Sequence, residues 1–142
     1  MERVIAIAAL VLAGPLVGVE LGVAAFTNPL VSKLPDEAYR LVRSGGSRLL
    51  GALMPFWYIG TFVVLIACAV LTRGVLAIAA VALMGVAILL TVTVLVPINN
   101  RIAAWRSVDD VDRDLAGRWD RLHWVRVGLL AAMFVAMAMG VG

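Results

Sequence analysis

Three side chains that can move a proton or hold a charge lie among apolar runs in this chain: Glu20, His123 and Arg126. Glu20 sits inside the first run. A carboxylate in a membrane span costs roughly 2.5–3.5 kcal/mol on insertion scales, so it needs a partner or a function. His123 and Arg126 stand three residues apart at the head of the fourth run and so share a helix face. A carboxylate or imidazole beside a guanidinium can take up a proton and stabilise a developing negative charge. Asn99 offers that charge a second donor. The same groups also make a purely structural cluster, because ion pairs fix helix packing as well.

The elements that must carry these residues are membrane helices. Of the 142 residues, 63% are hydrophobic and only 15% are charged. The mean hydropathy is +1.04. Soluble domains carry about 25% charged residues, so the chain belongs to the membrane class, and its length allows one domain. A span needs about 20 apolar residues at 1.5 Å each. Four segments qualify, at approximately 4–26, 49–71, 74–96 and 121–141, which predicts an all-α integral membrane four-helix bundle. Only Thr72-Arg73-Gly74 separates the second and third spans, as in a tight helical hairpin. Pro35-Asp36-Glu37 makes a good first helical turn, and Ser107-Val108-Asp109-Asp110 resembles a capping box that starts the helix of span four.

Several classes drop out. One cysteine, Cys68, forbids an intrachain disulfide. A single histidine with a single cysteine excludes zinc-finger and His-rich metal patterns, so no metal is expected. The acidic run Asp109, Asp110, Asp112 and Asp114 lacks the glycine and terminal glutamate of a calcium loop. The net charge of +3 comes from basic residues beside the spans, which read as topology determinants and not as a nucleic-acid surface. The two long connections and their flanks carry ten of the basic residues; Arg3 and Arg73 lie on the opposite side. The positive-inside rule therefore puts both termini outside and both long connections in the cytoplasm. The Ala-, Val-, Gly- and Arg-rich composition, which looks bacterial, makes the expected membrane a bacterial cytoplasmic one. Ala24-Ala25 could pass for a leader cleavage site, but the apolar run is longer than the usual 7–15-residue core of a signal peptide, so the first span is expected to stay.

Depth brings the polar residues together. Measured from Arg3, Glu20 is about 25 Å into the membrane; measured from Gly142, Arg126 is about 24 Å in. Trp57 falls in the same layer, about 22 Å from Thr72, with Tyr58 beside it. The third span reaches this side at Pro97-Ile98-Asn99-Asn100. Trp57, Tyr58, Trp119 and Asn100 are accordingly the candidates to line a substrate, although Trp105, Trp119 and Trp124 read first as an interfacial belt. Trp119, His123, Arg126, Leu130, Met133 and Met137 share one face of the last helix. Gly14, Gly18 and Gly22 form a small-residue stripe turned away from Glu20, which suits either a homodimer contact or packing inside the bundle.

Four spans in this length resemble the anthrone-oxygenase-like family. The specific features are a glutamate in the first span, Pro97-Ile98-Asn99-Asn100 with Trp105 after it, and Trp119-x-x-x-His123-x-x-Arg126. The resemblance implies a four-helix membrane bundle and, in a few fungal members, oxidation of an anthrone to an anthraquinone by O₂ without a known bound cofactor. Two functions follow as expectations. In one, Glu20 or His123 deprotonates a planar aromatic or quinone-like ligand taken from the membrane lipid, and Arg126 and Asn99 hold the enolate while O₂ attacks. In the other, the chain is a non-enzymatic membrane partner whose polar cluster is glue. A lipid-open pocket beside the cluster favours the first; a dry Glu20–Arg126 contact with no void favours the second.

Overall fold

In hydrocarbon the backbone has no water to bond with, so each long apolar run satisfies itself as a helix. The computed structural model describes residues 1–142 and contains four helices long and apolar enough to cross a membrane: α1 Glu2–Val31, α2 Asp36–Thr72, α3 Val75–Ala103 and α4 Arg113–Val141. They pack in a ring in chain order, α1 against α2, α2 against α3, α3 against α4, and α4 back against α1. Both termini and the α2–α3 turn lie at one end. At that turn Arg73 takes a left-handed conformation (φ 51°, ψ 22°) and its N–H donates to the Ala69 carbonyl.

The helices overrun the apolar segments at the opposite, arginine-rich end. The second is continuous from Asp36, through Ser44-Gly45-Gly46-Ser47, to Thr72, with no break before its apolar part. The third continues through Pro97 to Ala103. The capping box differs from expectation: Ser107 caps only the short 3₁₀ turn Val108–Asp110. The last helix starts instead behind Asp112, whose carboxylate accepts the Leu115 N–H at 3.0 Å. The chain needs that extra turn because Arg113 must reach back to Asp36 (2.9 Å) and to the Ser32 and Leu34 carbonyls.

Two cores fill the ring. The larger is built of small and flexible side chains, among them Ala9, Ala13, Leu16, Leu65, Met84, Leu130 and Met133. The smaller closes the arginine-rich end with Tyr39, Leu95, Ile98, Ile102, Trp105 and Trp119. Trp105 and Trp119 are thus buried, and only Trp124 faces outward as a belt residue does. Between the cores both α1 and α3 loosen into a π-helical turn, Val23–Thr27 and Thr91–Leu95. Each turn is followed within two residues by a proline, Pro29 or Pro97, whose missing N–H leaves a carbonyl without its helical donor. Such turns insert a residue and commonly mark working sites.

Candidate functional site

The two π-turns face the polar stripe of α4, and each meets one of its side chains. His123 Nε2 lies 2.9 Å from the main-chain oxygen of Glu20, just before the first turn. Arg126 Nη1 donates to Thr91 Oγ1 at 3.2 Å, at the start of the second, and Thr91 in turn donates to the Ala87 carbonyl. A carbonyl can only accept, so His123 carries its proton on Nε2 and presents a lone pair at Nδ1. That lone pair accepts from Arg126 Nη2 at 3.0 Å. The same Nη2 lies 2.8 Å from Glu20 Oε2, which stands 3.3 Å from His123 Nδ1. One guanidinium nitrogen therefore serves both acceptors. That nitrogen carries two hydrogens, so the imidazole and the Glu20 carboxylate can each take one.

All three groups are buried: Glu20 is 4% exposed, His123 1% and Arg126 7%. Two charges at this burial persist only because they sit side by side. Trp119 stacks on the imidazole with ring centroids 4.7 Å apart and planes 14° from parallel. The Arg126 guanidinium lies 5.4 Å from the Tyr58 ring centre and 5.7 Å from that of Trp119.

The cluster is not dry. A cavity of about 290 Å³ adjoins it, lined by Glu20, Tyr58, Thr91, Trp119, His123 and Arg126 together with apolar residues of α2 and α3. Three lining donors are buried without an aligned hydrogen-bond acceptor: the Tyr58 hydroxyl, the Trp119 indole N–H and Arg126 Nε. Leaving a buried polar atom unpaired costs about 1–3 kcal/mol, and all three suit a ligand rich in oxygen acceptors.

Most of the residues singled out by the sequence meet here. Glu20, Tyr58, Asn99, Asn100, Trp119, His123 and Arg126 all line the cavity. Asn99 is already engaged, its amide donating to the Ser47 carbonyl at 3.0 Å. Trp57 is not among the lining residues: its indole donates to the Leu12 carbonyl at 2.9 Å and ties α2 to α1. Gly14 packs inside the bundle, with Phe134 3.3 Å from where a Cβ would stand, whereas nothing approaches that place at Gly18 or Gly22.

Sequence reasoning missed two features. Thr91 anchors Arg126; its only signal was a hydroxyl in an otherwise apolar run. The second is a buried knot below Trp119, where Arg43 Nη1 lies 2.8 Å from Asp120 Oδ1 and donates to Asn28 Oδ1 at 3.0 Å. From sequence Arg43 reads as one of the basic residues beside the spans that set topology. Its guanidinium instead sits 5.6 Å from the Trp119 ring centre, at the arginine-rich end of the site.

A family model described as anthrone oxygenase matches residues 39–136, more than half of the chain. The matched stretch contains every cavity residue named above except Glu20, which precedes it. No curated protein matches the chain, and no solved structure does. With its four membrane-length helices and this match, the chain belongs to the anthrone oxygenase family.

Proposed function

We propose that the protein is a cofactor-free oxygenase of the bacterial cytoplasmic membrane, with both termini outside, acting on a planar aromatic or quinone-like compound dissolved in the bilayer. The observation that carries this reading is the lipid-side cavity beside Glu20, His123 and Arg126, with partnerless polar atoms on its wall. A structural ion pair needs no such void.

The geometry divides the roles. Both nitrogens of His123 are engaged, so the imidazole orients Arg126. Glu20, a carboxylate on the cavity wall, is the base. It takes a proton from the ring methylene that lies across the ring from the carbonyl and is conjugated with it through the flanking aromatic rings. Arg126 and the Tyr58 hydroxyl hold the oxygen on which the negative charge settles. The resulting anion reduces O₂ by one electron and the two radicals combine. This forms a C–O bond and a peroxide anion, which takes its proton back from Glu20. Removal of the second hydrogen on the same carbon then breaks the O–O bond. Hydroxide leaves with that proton as water, and a new C=O remains. One substrate and one O₂ thus give one quinone and one water.

Oxygen uptake with an anthrone in lipid nanodiscs tests the assignment. Glu20→Gln should abolish turnover in a folded protein, and His123→Ala should cut kcat by misplacing Arg126. Turnover unchanged in Glu20→Gln would remove the base from the account.

A further inference from the structure

The cavity is closed toward the termini and loosened on one side. Toward the termini the large core fills the ring with Leu16, Met84, Leu130 and Met133, all fully buried. Toward the arginine-rich end stand Trp119 and the Arg43–Asp120–Asn28 knot. Between α2 and α3, however, the lining residues Ile59 and Val92 are 60% and 62% exposed and so belong both to the cavity wall and to the lipid-facing surface. At this level Pro55, which has no N–H, leaves the Gly51 carbonyl without its helical donor inside the continuous α2. Facing it, α3 carries the π-turn Thr91–Leu95. Just below, the same helices are pinned. Asn99 donates to the Ser47 carbonyl across the gap, and its amide lies 3.0 Å from where a Cβ of Gly51 would stand. Glycine at 51 thus leaves room for the Asn99 amide to reach Ser47.

We infer that the gap between Pro55–Ile59 and Val92–Val96 is the entrance through which the ligand passes from the bilayer into the site, and that the Asn99–Ser47 bond is the latch that sets its width. The inference rests on the proposed function for the nature of the ligand: a flat, largely apolar ring system bearing carbonyl or phenol oxygens. Such a compound concentrates in the hydrocarbon, slides in edge-first past side chains that repel nothing apolar, and meets the donors of Arg126, Tyr58 and Trp119 at the far wall. The exposed Asn100 also lines the cavity at the arginine-rich end, but an apolar ring system concentrates in the hydrocarbon and so meets the side gap first.

An entrance controls rates, whereas a binding group controls affinity. Menadione, a naphthoquinone that quenches tryptophan, is added to the protein in nanodiscs and the quenching followed by stopped flow, with empty nanodiscs subtracted. The double variant Ile59→Phe/Val92→Phe narrows the gap. The control Val63→Phe/Leu89→Phe adds the same bulk to the same helices at exposed positions that do not line the cavity. The gap variant should slow association and dissociation by a common factor of about ten or more and leave Kd unchanged, while the control keeps wild-type rates. Asn99→Ala, which frees the latch, should speed both. Wild-type rates in the gap variant and in Asn99→Ala, with binding intact, would overturn the entrance and spare the site. Absence of saturable quenching in the wild type would overturn the site and the entrance with it.

Discussion

Arg126→Met measures how tightly the buried cluster is coupled. The variant removes the only cation within contact of Glu20, a carboxylate 4% exposed and 2.8 Å from the lost nitrogen. It also strips the partners from His123 Nδ1 and Thr91 Oγ1. Stranding one member of a buried pair costs about 3–5 kcal/mol. Glu20→Leu is the milder lesion, about 2–3 kcal/mol, because Arg126 keeps its bonds to His123 and Thr91. Glu20→Leu/Arg126→Met removes both charges and fills the volume with apolar atoms, so it should lie within about 1–2 kcal/mol of wild type. The three values come from reversible unfolding in mixed micelles, read by tryptophan fluorescence. The cycle predicts that the double variant is more stable than the sum of the singles by at least about 2 kcal/mol. Simple additivity would refute the reasoning, because it would mean that the two charges do not depend on each other. None of the three variants should turn substrate over, since each removes either the base or the anion's partner.

Three further outcomes follow from individual contacts. Trp57→Phe deletes the indole bond to the Leu12 carbonyl and should cost about 1 kcal/mol of stability while leaving substrate oxidation unchanged, because Trp57 does not line the cavity. The Asp110 carboxylate accepts the backbone N–H groups of Arg106 and Ser107, which hold its pKa below the ordinary 3.8. A depressed folded value contributes stability above the unfolded pKa and loses it as pH falls through the folded one. The melting difference between wild type and Asp110→Asn should therefore be full near neutrality and shrink below about pH 4. Gly18 is exposed with nothing near its Cβ position, so Gly18→Leu should leave the fold intact and reduce cross-linked dimer if α1 meets a second copy there. A cross-linking yield equal to wild type would remove that contact.

The membrane bundle was legible because its signals are additive. Runs of some twenty apolar residues mark each span, and a three-residue break admits only a hairpin. The site was legible for a different reason. Glu20 is expensive in lipid, so its partners had to lie at its depth, and simple helix rise placed His123 and Arg126 there. Single-helix depth, however, carries no azimuth between helices. Trp57 and Tyr58 are adjacent in sequence and nearly equal in depth, yet one points to α1 and the other to the cavity, a difference of one residue's rotation. Arg43 escaped notice because an arginine just outside a span normally serves topology; only the tertiary approach of Asn28 and Asp120 makes it a buried ion. The π-turns were invisible for a similar reason. Pro29 and Pro97 mark where α1 and α3 must yield, but the adjustment spreads into the preceding residues only once the helices have packed.

The central claim is that O₂ itself attacks a ligand held at Glu20 and Arg126, and isotope labelling tests it most directly. Purified protein in nanodiscs is given an anthrone under ¹⁸O₂ in ordinary water, and the quinone is examined by mass spectrometry. The account predicts one heavy oxygen atom in each quinone, its partner in water, and no labelled quinone above the uncatalysed background in Glu20→Gln. Quinone carrying its new oxygen from solvent, or formed equally fast by Glu20→Gln, would contradict it.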